Sequence, residues 1–372
     1  MKGLYIHIPF CRSKCPYCDF FSLPKNDELI EKYCDSLIDE IKSGRRTKEF
    51  CNNTGMHFDT VYFGGGTPSV IGADRLGRIL ECIKKNYTIS DNSEITAECN
   101  PSTVDDDFFR SLSSYGFNRI SLGLQSAVDP ERRSLGRLAD KDKVLSVIES
   151  SRKHGITNIS LDVMLGVPSQ TMESLDETIE FLLNTDVPHI SAYMLSIEDG
   201  TVFHKRKNTL NIPDEDIVCD MYTHLSDVLT QNGYIHYEIS NFSKNGYESR
   251  HNLKYWECEE YLGLGPAAHS FINGKRFYSE RSAEAFINGS PAVFDSYGGD
   301  CEEYLMLGLR LKKGISESSY KNRFGCSIPD SFKKNADQFI QSGHMTFFGD
   351  TYSLTQSGML ISNYIISNLL ED

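Results

Sequence analysis

Apolar residues along the chain follow two periods in alternation. Residues 3–10, GLYIHIPF, form a nearly unbroken apolar run suited to a buried strand. From Asn26, the stretch NDELIEKYCDSLIDEIKSG sets Leu29, Ile30, Tyr33, Leu37, Ile38 and Ile41 at helical spacing and stops near Gly44. The pair then recurs: strand 60–65 with helix 72–86, strand 94–99 with helix 103–115, and strand 119–125 with helical segments through His154. Strand 158–166 with helix 171–184, and a sixth strand over 189–196, complete the series. Six strands alternating with helices imply a parallel sheet, and short strands with long helical returns suit a barrel or partial barrel. Chemistry then belongs at the carboxyl ends of the strands.

The pattern changes near residue 200. A helix over 214–231 leads to IHYEISNF, then to a stretch ending ESRHNLKYWECEEYLGLGPAAHSF that is rich in aromatic residues and glycine rather than periodic. Beyond about 298 the chain reads as helical again (DCEEYLMLGLRL) and ends in short segments laid out like a winged helix. A chain of 372 residues exceeds the size at which one core stops growing. The expected division is a barrel with its extension over 1–290 and a smaller, mainly helical domain over 291–372.

Charge narrows the partners. A formal net charge of -14 argues against nucleic acid, whose phosphates such a surface repels, and favours small molecules or proteins. No segment approaches the roughly 20 apolar residues of a membrane span. The first apolar run is broken by His7 and Pro9 and followed by charge, unlike a signal peptide, so a cytoplasmic protein is expected. Eleven cysteines, an odd and irregularly spaced set, do not form a disulfide framework. Cys34, Cys82, Cys99, Cys219 and Cys326 read as small buried hydrophobes.

Three other cysteines are different. Cys11, Cys15 and Cys18 crowd C-x3-C-x2-C onto one loop after the first strand. Structural zinc takes four protein ligands, and no CxxC or HxxxH pair lies downstream to complete a site, although His7 is near in sequence. Three thiolates instead suit three corners of a metal-sulfur cluster, and a [4Fe-4S] cluster held this way leaves one iron open. Further polar candidates stand at successive strand ends: GGGTP after the second strand, Glu98 closing the third, Gln125 closing the fourth, and Asp162 inside the apolar fifth.

The run CRSKCPYC resembles the radical S-adenosylmethionine (SAM) signature CxxxCxxC, and the six βα units match that family's partial barrel. YIHIPFC upstream and FGGGTPS downstream are similar to the branch containing oxygen-independent coproporphyrinogen III oxidase and a haem chaperone. The resemblance implies an α/β fold: a partial (βα)6 TIM-like barrel with a smaller, mainly helical, winged-helix-like C-terminal domain. It implies that Cys11, Cys15 and Cys18 bind three irons while the amino and carboxylate groups of SAM chelate the fourth. Gly64, Gly65 and Gly66 would let the backbone approach the methionine moiety, and Thr67 would offer a hydroxyl. Tyr5 and Tyr17 match positions that pack the cofactor, and Glu98, Gln125, Arg137 and Asp162 match its polar contacts.

Two readings of function follow from the resemblance. The oxidase pattern extends to CxxxCxxCxC and carries an amino-terminal extension; here Phe20 stands at the further cysteine, and the chain begins four residues before Tyr5. Both departures favour a haem chaperone that delivers haem to haem-requiring proteins, membrane-associated respiratory enzymes among them. The oxidase, a SAM-dependent decarboxylase of haem biosynthesis, is the alternative. RHNLKYW resembles the chaperone branch's HNxxYW motif, which implies haem binding through His251, Asn252, Tyr255 and Trp256: an imidazole for the iron and two flat faces for the porphyrin. His269 is a weaker candidate. No catalytic residue is expected.

Overall fold

A computed structural model describes residues 1–51 and 55–371. Six parallel strands run in chain order through the centre of its main sheet: β1 (Lys2–Ile8), β2 (His57–Gly65), β3 (Thr88–Cys99), β4 (Arg119–Gln125), β5 (Asn158–Leu165) and β6 (His189–Met194). The main returning helices are α1 (Asp27–Ser43), α2 (Ala73–Asn86), α3 (Asp106–Tyr115), α4 (Lys141–Lys153) and α5 (Met172–Thr185). Local chemistry sets their ends. The Asn26 side chain accepts from the Leu29 N–H to start α1, and Gly44, at φ 57°, closes it in the left-handed region. Expectation placed the third helix from residue 103. It starts at Asp106 because Pro101–Thr103 forms a separate tight turn and Asp105 caps the Phe108 N–H at 2.9 Å.

The extension turns out to be sheet. After α6 (Glu215–Gln231), β7 (Ile235–Glu238) and β8 (Asn241–Ser243) form a hairpin whose second strand runs antiparallel to β6. On the opposite edge, β9 (Tyr261–Leu264) lies parallel to β1. The antiparallel β10 (His269–Ile272), β11 (Lys275–Tyr278) and β12 (Val293–Tyr297) follow it, giving a twelve-stranded sheet among the described residues. The chain passes between these two edges through α7 (Arg250–Trp256). Glu94, on β3, accepts from the Arg250 and His251 N–H groups, anchoring the start of α7 against the barrel.

A second apolar core, including Leu305, Leu309, Tyr320, Phe332, Tyr352 and Ile365, organises the C-terminal segment. It comprises α8 (Cys301–Gly308), α9 (Glu317–Phe324), α10 (Asp330–Gln341) and α11 (Ser362–Leu370) around a small antiparallel sheet of β13 (Ile315–Ser316), β14 (Met345–Phe348) and β15 (Thr351–Leu354). All eleven cysteines are free thiols, and Cys34, Cys82 and Cys99 are buried as expected. Cys219 is only partly buried because it lies off the inward face of α6 set by Met221, Tyr222 and Leu225. Cys326 is exposed, just after the Gly325 turn that ends α9.

Candidate cluster and cofactor site

The strands of the parallel centre divide their two faces sharply. Ile120, Leu122 and Leu124 of β4, Ile159, Leu161 and Val163 of β5, and Ile190 and Ala192 of β6 are buried in the main apolar core. The alternate positions are mostly polar: Arg119, Ser121 and Gln125; Ser160 and Asp162; His189, Ser191 and Tyr193. The sheet curls so that Tyr62, Glu98, Arg119, Ser121, Gln125, Asp162, Ser191 and Tyr193, from β2 through β6, line one cavity of about 380 Å³. A barrel interior packed with Val, Ile and Leu would have no such space; this one has the volume and lining of a small-molecule site.

The cysteine loop forms the mouth of the cavity. Phe10 and Cys11 pair in parallel with Leu23 and Pro24, while Leu23 N–H donates to the Pro9 carbonyl at 2.7 Å and Lys25 N–H to the Cys11 carbonyl at 2.9 Å. The loop therefore leaves β1 and returns beside its own starting point. Cys11, Cys15 and Cys18 are all partly buried and all line the cavity. Below them, Gly66 and Thr67 donate backbone N–H groups to the Ile8 and Phe10 carbonyls, each at 2.8 Å, and Cys11 Sγ lies 3.5 Å from Thr67 Oγ1.

The three glycines allow different close approaches here. A Cβ on Gly66 would fall 2.7 Å from the Phe10 carbonyl oxygen, and one on Gly65, at φ 106°, would fall 2.6 Å from the His7 ring. One on Gly64 would meet the Tyr62 ring at 2.9 Å and Glu98 at 3.0 Å. Gly65 and Gly66 face the cavity, whereas Gly64 makes room for the chain's own side chains.

The donors at the mouth fit an iron-sulfur cluster. Burial pushes the Cys18 thiol up, and the neighbouring Cys15 and Cys11 add to the shift, so a compensating positive centre would favour three thiolates here. Among the described residues, no group of three His, Cys, Asp or Glu side chains is arranged to hold a single metal ion. Three soft sulfur donors presented separately around one opening suit a larger, iron-sulfur acceptor.

Below the mouth lies a polar set with unsatisfied capacity. Arg137 donates to the Tyr17 hydroxyl at 2.8 Å, and its buried Nε has no partner. Gln125 is held at φ 71°, a left-handed conformation costly for a non-glycine residue and common where a site imposes its geometry. Glu98 accepts from the Tyr62 hydroxyl at 2.9 Å; burial pushes its carboxyl up to about 7, with the Asp162 charge adding to the shift. Asp162 accepts from Ser121 Oγ at 2.9 Å and is pushed up to about 6, again by burial. Two half-buried carboxylates on one cavity wall are poised to pair with a cation or with hydroxyl donors. Tyr5 is not on the cavity wall: it stacks under Tyr62 with ring centroids 6.3 Å apart and meets His7 Nδ1 through its hydroxyl at 3.1 Å.

The RHNLKYW residues occupy a place other than an open haem face. His251 is 2% exposed and stacks on Tyr62, with centroids 5.1 Å apart and planes at 23°. Its Nδ1 is hydrogen-bonded with Thr60 Oγ1 at 2.8 Å and its Nε2 with the Tyr255 hydroxyl at 2.9 Å. Neither nitrogen is free for an iron. Tyr255 lies edge-on to Tyr261 at 4.6 Å, and the partly buried Trp256 has the Arg310 guanidinium over its ring at 5.5 Å. Only Asn252 of this motif lines the cofactor cavity. His269 is exposed and stacked on Tyr278 at 5.3 Å. Motif reasoning passed over Tyr62, Arg119, Ser121 and Tyr193. For Arg119, Ser121 and Tyr193 the signal was the alternation of polar residues inside RISLGLQ and HISAYM, which marks a lumen-facing row.

Residues 5–182 match the family model of the Radical SAM superfamily, and residues 300–361 match the HemN C-terminal domain. The chain is 34% identical to the haem chaperone HemW of Lactococcus lactis subsp. lactis, covering 100% of this chain and 98% of that one. It is 32% identical to the haem chaperone HemW of Bacillus subtilis (100% and 99%) and 30% identical to that of Escherichia coli (100% and 98%). Among solved structures, coproporphyrinogen III oxidase (HemN) from Escherichia coli, a radical SAM enzyme, superposes with a TM-score of 0.83 at 20% identity, covering 99% of this chain and 89% of the other. That likeness is one of fold.

Proposed function

We propose a function for a chain that belongs to the haem chaperone HemW family, within the radical SAM superfamily: it carries an iron-sulfur cluster and SAM, binds haem, and hands it to haem-requiring proteins. The observation that carries this reading is the end-to-end similarity, at 34% identity, to a protein named as a haem chaperone. Phe20, where the oxidase resemblance calls for a cysteine, supports it over porphyrinogen decarboxylation. Recipients include membrane-associated respiratory enzymes. No helix among the described residues is long and apolar enough to cross a membrane, and the work is assigned to the cytoplasm. We assign cofactor binding to residues 1–290 and treat 291–372 as a separate C-terminal domain.

Cys11, Cys15 and Cys18 are the proposed cluster ligands, leaving one iron for the SAM amino and carboxylate groups. When reduced, this cofactor pair supplies one-electron chemistry at the sulfonium. Gly65, Gly66 and Thr67 pin the ligand loop to the strand ends and keep the approach narrow. Arg137, turned by Tyr17, offers its unpaired Nε–H to a carboxylate, and Gln125 presents an amide from a constrained backbone. Glu98 and Asp162, when ionised, accept from ribose hydroxyls or balance the cationic sulfonium and amine.

The test uses anaerobic, cluster-reconstituted full-length protein. Haem titration should give saturable binding, and incubation with coproporphyrinogen III, SAM and a reductant should leave that substrate unchanged. Conversion to protoporphyrinogen IX would overturn the chaperone reading.

A further inference from the structure

The mouth of the cavity carries an apolar rim that the cofactors below it do not explain. Phe20 is 69% exposed, Leu138 74% and Tyr193 42%, and all three line the same opening. They come from segments distant in sequence, and the Leu138 segment is packed directly against the cysteine loop. Arg137, next to Leu138, donates to Tyr17 in the cysteine loop, and Gly136 lies so close to that loop that a Cβ would fall 3.1 Å from Pro16. Exposed apolar residues scattered singly are ordinary; three converging on one opening mark a binding face.

Charge at the same rim runs against that of the whole chain. Arg12 and Lys14 line the opening and are exposed, and neither is paired with a carboxylate among the described residues, although the chain carries a net charge of -14. The carboxylates of this cavity, Glu98 and Asp162, lie deeper, toward its floor. The rim thus offers a flat apolar surface with two uncommitted cations beside it. The cavity, at about 380 Å³, is near the lower end of ligand-site volumes, room for one small molecule and not for a porphyrin in addition.

We propose that haem docks on this rim, outside the SAM cavity, with its macrocycle against Phe20, Leu138 and Tyr193 and its two propionates toward Arg12 and Lys14. The proposal rests on the haem reading of the family. It places haem over the cysteine loop, at the opposite end of the barrel from His251. Phe20 then has a positive role: an aromatic face for a porphyrin in the position where a thiol would otherwise point into the mouth.

The experiment titrates cluster-reconstituted full-length protein with haem, read by the Soret difference spectrum, for wild type, the pair Phe20→Ser with Leu138→Ser, and the pair Arg12→Glu with Lys14→Glu. Losing two apolar contacts should weaken haem binding at least about tenfold. The charge-reversal pair should weaken haem binding similarly, yet leave binding of haem dimethyl ester, which lacks the propionate charges, at the wild-type level. Iron content per chain reports whether the loop still holds its cluster. Leu138→Ser alone, outside that loop, keeps the test valid if the Phe20 change disturbs loading, and Phe20→Trp should retain affinity. Wild-type binding with unchanged affinity in both pairs would overturn the rim as the docking site while leaving the chaperone reading intact. No haem binding by wild type would overturn both. Haem loss on Phe20→Trp as large as that on the Phe20→Ser, Leu138→Ser pair would point to a packing defect and count against the proposal.

Discussion

His251 is the position where geometry and motif resemblance make opposite forecasts. Replacing it with alanine removes an imidazole whose two nitrogens engage Thr60 and Tyr255 and whose face lies on Tyr62. Each orphaned group costs about 1–3 kcal/mol, so the loss of two amounts to roughly 2–6 kcal/mol out of a total stability of about 5–15. A pH signature accompanies it. Burial lowers the His251 pKa to about 3, with the Lys254 and Arg119 charges adding to the shift, whereas the unfolded chain titrates near 6.5. Between those values the unfolded state holds a proton that the folded state refuses. Stability therefore falls as pH drops through this window, by up to about 1.4 kcal/mol per pH unit for this one group. His251→Gln keeps a polar side chain but removes the titration, so the gap between wild type and this variant should narrow on going from pH 8 to pH 5. Urea unfolding of anaerobically reconstituted protein at both pH values measures the gap, and a parallel haem titration should show an unshifted Soret maximum for folded variant protein. A variant of full stability that loses an axial-ligand band would refute the reasoning, because it would place the imidazole on the iron rather than in the lumen.

Two further outcomes follow from the cofactor cavity. Glu98, pushed up to about 7 by burial, is protonated below that pH in the ligand-free protein, so SAM binding should strengthen as pH rises from 6 to 8; in Glu98→Gln the affinity should be weaker and flat across that range by calorimetry. The same raised pKa gives a stabilising term that is fully present below about 4.5 and is lost as pH rises through 7, opposite in sign to that of His251, so the two variants should tilt the pH–stability curve in opposite directions. Gly66→Ala sets a methyl group against the Phe10 and Ile8 backbone at 2.7 to 2.9 Å, where no flexible side chain can yield. It should cost about 1–3 kcal/mol and reduce bound iron per chain, whereas Gly55→Ala, with nothing within 4 Å, should leave iron content unchanged despite its positive φ.

The parallel centre was readable because each strand is long enough to show its own period and is bounded by its own punctuation. Arg119–Gln125 falls at its expected limits, between the Gly116 turn and Ser126. The extension was not readable for a matching reason. Its strands are three to five residues long, and β9 owes its conformation to β1: Tyr261 pairs with Gly3, a neighbour that no local window contains. The cluster loop was legible as chemistry, since three thiols at that spacing have few physical uses. The polar lumen was legible only as alternation: attention to isolated motif residues took Gln125 without Arg119 and Ser121 of its own strand, and passed over Tyr193 of β6, all of which face the same cavity.

The HNxxYW helix shows what a motif leaves undetermined. His251 and Tyr255 are four residues apart and so share one face of α7, a spacing that lets them bond to each other as readily as to a common ligand. Glu94 then decides between the two by capping the helix start and turning that face inward. The result is a stack running along the lumen from Tyr255 through His251 and Tyr62 to Glu98, each member touching the next. A change at His251 or Tyr255 therefore reaches the cofactor cavity through Tyr62, whereas Asn252 of the same helix lines that cavity itself. Glu98, at the inner end of this stack, shares the cavity with Phe20, so a substitution at His251 or at Phe20 should be read in both haem and SAM binding.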